Sequence, residues 1–188
     1  MSQPASRFAT YEDLFDLPEY MIGEILHGQL ITQPRPGPKH ARSASILNGE
    51  IIGPFDQGRG GPGGWWIWFE PELHLGPNIL VPDLAGWRRE RMPVFPDTAF
   101  FTLAPDWACE ILSPGTARTD RAVKMPIYAQ EGVQWLWLID PDIRTFEVYR
   151  LFERQWLLEH TWQNDDIVQA PPFDAISLNL NDFWAPQS

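Results

Sequence analysis

Two acids and one lysine carry the chemistry for which this chain is equipped. Asp83 ends Val81-Pro82-Asp83, Glu110 stands inside Cys109-Glu110-Ile111-Leu112, and Lys124 closes Asp120-Arg121-Ala122-Val123-Lys124. Carboxylates drawn close together repel unless a cation lies between them. Magnesium takes oxygen ligands and keeps several waters, so two carboxylates suffice to hold it. Such an ion acidifies a bound water and stabilises charge on a phosphate under attack. A lysine nearby could orient or deprotonate that water, or pair with the phosphate. Each residue also has an ordinary use. Asp83 follows a proline and could cap a turn; Lys124 lies four residues after Asp120, the spacing of an exposed helical ion pair. Glu110 fits an ordinary use least well, because an acid among Trp107, Ala108, Cys109, Ile111 and Leu112 is costly to bury without a partner.

The elements that must position these residues follow from the pattern. Thr10 and Asp13 open a short helix that Pro18 stops. Residues 20–26 and 29–32 flank His27-Gly28, a hairpin signal. A stiff linker over 34–38 leads to a helix over 39–52, with Ala44, Leu47 and Ile51 on one face. After a glycine-rich loop over 58–64, strands are expected at 65–69, 72–75, 79–81 and 83–87. Another follows at 107–112, ended by Ser113-Pro114-Gly115. Residues 120–131 read as a helix closed by Gly132, with a kink or break near Lys124–Met125 forced by Pro126. A central strand at 134–139 and a meander at 144–151 and 155–162 precede an acidic, loop-rich tail from Asn164. If the strands bearing Asp83 and Glu110 are neighbours, residues 27 positions apart in sequence converge at one end of a sheet. The order describes an α/β domain with a mixed central sheet.

The totals narrow the class. A chain of 188 residues with 44% hydrophobic and 21% charged residues is globular and long enough for one well-packed domain. Ten tryptophans and nineteen prolines imply an aromatic core with rigid turns, or an aromatic association surface. The run 135–139 and the tryptophan surplus are compatible with a homodimer. No apolar run approaches the roughly 20 residues needed to span a bilayer, and the polar segment 1–11 has no leader-like apolar stretch, so no membrane role and a cytoplasmic location are expected. A net charge of −11 argues against a nucleic-acid partner. Against that, nine of the fourteen basic residues fall in three groups, at Arg35, Lys39 and Arg42; at Arg88, Arg89 and Arg91; and at Arg118, Arg121 and Lys124. Those groups allow a local basic lip. The lone Cys109 should point away from Glu110 and pack in the core. Ser113 reads as a turn residue, and His27, His40, His74 and His160 lack metal-ligand spacing.

Pro-Asp at 82–83, Pro-Asp-Trp-Ala-Cys-Glu-Ile-Leu-Ser-Pro from 105, Thr-Ala-Arg-Thr-Asp-Arg-Ala-Val-Lys-Met-Pro-Ile-Tyr-Ala from 116, Gly-Val at 132–133 and Trp-Leu-Ile-Asp-Pro from 137 together resemble the Uma-two family of "putative restriction endonucleases" within the PD-(D/E)XK nuclease superfamily. The resemblance spans residues 11–151. It implies a restriction-endonuclease-like fold, with a mixed central sheet flanked by helices, and DNA cleavage dependent on Mg2+, with Mn2+ as a substitute. Asp83 matches the acid of the Pro-Asp motif and Glu110 that of the following strand; these two are the implied metal ligands. Leu112 stands where the superfamily's simplest pattern has lysine, and Lys124 matches the family's later lysine. Glu24 matches an N-terminal acid near the site and His40 the histidine opening the next helix. Glu24 could equally be a solvated strand residue, and His40 a surface residue at a helix start. Glu72, next to the strand before Asp83, is a further candidate within reach of the site.

Three functions follow. The first is a metal-dependent DNA endonuclease in which Asp83 and Glu110 hold the ion, Glu24 supports it and Lys124 positions the nucleophile. The second is a nuclease-fold protein that no longer cuts and acts in binding or assembly, a reading the acidic charge favours. The third, a carboxylate-pair glycoside hydrolase, has only the tryptophan content behind it.

Overall fold

The structure, a computed structural model, describes residues 7–186; the start of the polar segment read as lacking a leader, and the last two residues of the tail, lie outside the described residues. The opening helix is shorter than expected. α1 (Glu12–Phe15) forms one turn, with the Asp13 carboxylate accepting the Thr10 backbone N–H at 2.8 Å. β1 (Met21–Leu26) and β2 (Gln29–Pro34) pair through His27-Gly28, whose φ values of 52° and 76° give the left-handed pair that a two-residue hairpin loop requires. α2 (Pro38–Ile51) starts on a proline, where a missing N–H costs nothing, and runs on into a π-helical turn, Ile52–Asp56. β3 (Trp65–Phe69), β4 (Leu73–Leu75), β5 (Asn78–Leu80), β6 (Leu84–Arg88) and β7 (Trp107–Ile111) follow.

The helix expected over 120–131 begins earlier and has three parts. α3 (Ala117–Thr119) passes into a π-helical turn, Asp120–Lys124, and then into α4 (Met125–Gln130). The break falls at Lys124–Met125, and Pro126 thereby sits in the first turn of α4. β8 (Trp135–Asp140), β9 (Thr145–Phe152) and β10 (Gln155–Gln163) complete the main sheet, and β11 (Ile167–Val168) pairs with β12 (Leu178–Asn179).

The main sheet has six strands in the order β10-β9-β8-β7-β6-β3, mixed because β7 and β8 run parallel while its other pairs are antiparallel. A second sheet, β2-β1-β5-β4, is wholly antiparallel. This is an α/β fold of the expected kind, with a separate small sheet that the pattern did not resolve. Alternation along β7 sends Cys109 and Ile111 into one core with Ala44, Leu47 and Ile51 of α2. Ala108 shares the other core with Ile127 and Tyr128 of α4 and with Leu73 and Leu80 of the small sheet. Cys109 is fully buried, as expected.

One expectation is corrected. The 135–139 run is no association surface, because β8 lies between β7 and β9 with Leu136, Trp137 and Ile139 wholly buried. The acidic tail is loop-rich, as expected, and packs on the domain: Phe173, Phe183 and Trp184 insert into the α2-side core, and the Ser43 hydroxyl donates to the Phe183 carbonyl at 2.9 Å. Among the described residues no helix is long and apolar enough to cross a membrane.

Candidate active site

Strand register brings the acids together. β3 pairs Phe69 with Leu84, and β6 pairs Leu84 with Cys109. One step further along, Glu70 faces Asp83 and Asp83 faces Glu110, and the Glu70 backbone N–H donates to the Asp83 carbonyl at 2.9 Å. All three side chains line a cavity of about 290 Å³, with Asp120 and His40 also in its wall. Three neighbouring strands therefore present one acid each to the same space. Glu70 achieves this with φ at 46°, an unusual backbone state for a residue with a Cβ.

Asp83 is fixed from two sides. Its Oδ2 accepts the Ile111 backbone N–H at 2.6 Å, and its Oδ1 lies 3.1 Å from Nε2 of His40. Burial works to lower the His40 pKa, but the hydrogen bond and charge of Asp83 outweigh it and the pKa is raised. His40 thus sits at the site, whereas its other ring nitrogen, Nδ1, is buried without a partner.

Beneath the cavity lies a closed ion network. Lys124 Nζ is 2.7 Å from Glu110 Oε1, 2.9 Å from Glu24 Oε1 and 3.3 Å from the Val81 carbonyl, which together occupy its three hydrogens. Glu24 Oε1 also accepts the Val81 N–H at 2.8 Å, so the acid ties down the chain just before Asp83. Lys124 and Glu24 are 1% and 2% exposed, and neither lines the cavity. Lys124, expected to orient or deprotonate a water or to pair with the phosphate, here has its donors directed at Glu110, Glu24 and the Val81 carbonyl. The Asp120–Lys124 pair is likewise no solvent-exposed helix pair: both residues are buried, 3.8 Å apart across the π-helical turn.

The charges are unbalanced on the cavity side. Burial pushes the Glu110 carboxyl well above the usual carboxylate range; Lys124 opposes this, while Asp120, Asp83 and Glu24 add to it. Burial likewise raises Asp120 to about 6, against the pull of Lys124 and a Thr116 hydrogen bond. Burial and the charge of Asp83 raise Glu70, with Arg35 and His40 opposing. For Lys124, burial lowers the pKa, but Glu110 and Glu24 more than reverse it and keep the ammonium charged.

The remaining candidates sort clearly. Glu72 is not brought in: its carboxylate lies 2.7 Å from His74 Nε2, and the residue borders a different surface hollow beside Tyr11. The β3–β6 register places Glu70, not Glu72, opposite Asp83. Leu112 is 1% exposed and packs with Tyr128 and Leu138, so the residue in the superfamily's lysine position is core. Ser113 shares a hydrogen bond of 3.1 Å with Thr116 in a turn at the cavity wall. The basic lip is thinner than its sequence suggests, since Lys39, Arg89, Arg91, Arg121 and Lys124 are all held in ion pairs. Arg35 is the cationic residue that lines the cavity beside His40.

Sequence reasoning missed Glu70, Asp120 and Tyr128 as site residues. Asp120 and Tyr128 lie four residues either side of Lys124, a legible helical spacing. Glu70 gave no comparable signal, because strand register is needed to place it.

Among the described residues no group of three or more His, Cys, Asp or Glu side chains is placed to hold a metal ion. A magnesium ion held by two carboxylates and waters needs no such group. The donor chemistry suits it: the facing groups are oxygen acids, and four carboxylates in the wall outnumber Arg35 and His40.

The fold has a counterpart in a crystal structure described as "a putative nuclease belonging to DUF820 from Anabaena variabilis ATCC 29413". The two chains are 28% identical and superpose with a TM-score of 0.74, over 93% of this chain and 97% of that one. No protein of curated function matches the chain. The sequence profile of the Uma2 family, described as "Putative restriction endonuclease", matches residues 8–181, and the chain belongs to that family.

Proposed function

We propose that the protein is a metal-dependent DNA endonuclease that hydrolyses phosphodiester bonds at the cavity lined by Asp83 and Glu110. The observation that carries this reading is the convergence of those two acids in one cavity, with Lys124 buried 2.7 Å from Glu110. Mg2+, or Mn2+ in its place, would be held by Asp83 and Glu110, and when bound it supplies an acidified water and charge stabilisation at the phosphate. The chain's own residues do the positioning. His40 and the Ile111 N–H fix the Asp83 carboxylate. Lys124 neutralises part of the charge on Glu110 and reaches the reaction through it, while Glu24 anchors both Lys124 and the backbone at Val81. Arg35, in the cavity wall, is placed to meet a phosphate of the scissile strand.

Cleavage of supercoiled and linear DNA by wild type with magnesium or manganese, abolished in Asp83→Ala, is the expected outcome. Intact DNA in every form with either ion would contradict it. The second reading, a nuclease fold that binds without cutting, draws on the net charge of −11 and on the fully committed Lys124. It predicts manganese binding without strand breaks in the same reactions.

A further inference from the structure

Tyr128 is wholly buried, yet its hydroxyl is not wasted in the apolar core around it: it donates to Glu110 Oε1 at 2.6 Å. Lys124 Nζ meets the same oxygen at 2.7 Å. Lys124 and Tyr128 are four residues apart across the junction between the π-helical turn and α4, so both donors approach Glu110 from one side. Among the described residues no donor reaches Oε2, the other oxygen of Glu110, and Glu110 lines the cavity. One oxygen is therefore saturated from below and the other is left for the cavity.

We infer that Tyr128 is a positioning residue that fixes which oxygen of Glu110 faces the cavity and so sets the affinity of the site for a divalent cation, an inference that rests on the metal-dependent reading above. The chemistry requires the phenol for this. A carboxylate held by lysine alone can pivot about its Cγ–Cδ bond, exchanging the paired and free oxygens. A second donor on the same oxygen, approaching from a rigid helix, removes that exchange. Groups that orient a metal-binding side chain from behind commonly account for about 10–100-fold in metal affinity.

The test is calorimetric titration of the full chain with Mn2+ in wild type, Tyr128→Phe and Tyr149→Phe. Tyr149 donates to Glu147 at 2.8 Å on β9, so its variant removes a comparable phenol–carboxylate bond away from the cavity. Thermal melting of each variant is read alongside. The expected result is Mn2+ binding at least about tenfold weaker in Tyr128→Phe and unchanged in Tyr149→Phe, at temperatures where both are folded. Equal Mn2+ affinity in wild type and Tyr128→Phe, with only the melting temperature lowered, would overturn the inference and leave the metal reading intact. An absence of Mn2+ binding by wild type would overturn both.

Discussion

The floor and the wall of the cavity obey opposite electrostatic rules. In the floor, Lys124 stands between Glu24 and Glu110, every donor has an acceptor, and water is excluded. In the wall, Asp83, Glu70, Asp120 and the free edge of Glu110 gather negative charge with little to balance it. A closed network of the first kind holds a geometry; an open one of the second kind is unfavourable until a cation arrives. The difference assigns separate work to residues that the sequence grouped as one motif. Under the proposed function, Lys124 and Glu24 build the site, and Asp83 and Glu110 use it.

The comparison can be broken most severely at its centre. Lys124→Met leaves Glu24 and Glu110 buried without their cation, and a loss of about 3–5 kcal/mol in unfolding free energy is expected, measured by urea titration. A loss under about 1 kcal/mol would mean that the floor is not the closed network described. The wall should respond in the other direction. Asp120 titrates at about 6 in the folded protein against 3.8 unfolded, so between those values the folded state binds more protons and stability falls as pH rises. Asp120→Asn should remove that slope and, above pH 6, raise stability by roughly 1–3 kcal/mol, read from melts across pH 4–8. A variant less stable than wild type at neutral pH would place Asp120 in the floor with the structural group.

The sequence was most legible where chemistry and regular structure coincide. Asp83, Glu110, Lys124, Glu24 and His40 all lie at or beneath the cavity, and the strands carrying the first two are adjacent as required. It was least legible where position depends on register or on irregular backbone. Glu72 was a candidate and Glu70 was not, because nothing short of the β3–β6 pairing shows which acid faces Asp83, and the positive φ of Glu70 has no composition signal. The packing of the loop-rich tail was not legible because its buried residues, Phe173, Phe183 and Trp184, recur without helical or strand period. The division of labour around Lys124 was also hidden. Spacing can predict that a lysine and an acid meet, but not that three acceptors already occupy the lysine.

The most direct test of the account is a crystal of the wild-type protein soaked in manganese and read by anomalous scattering. The account predicts one ion touching both Asp83 and Glu110, through the Glu110 oxygen that Tyr128 and Lys124 leave free. An ion bound elsewhere, or no ion in the cavity at saturating manganese, would contradict it.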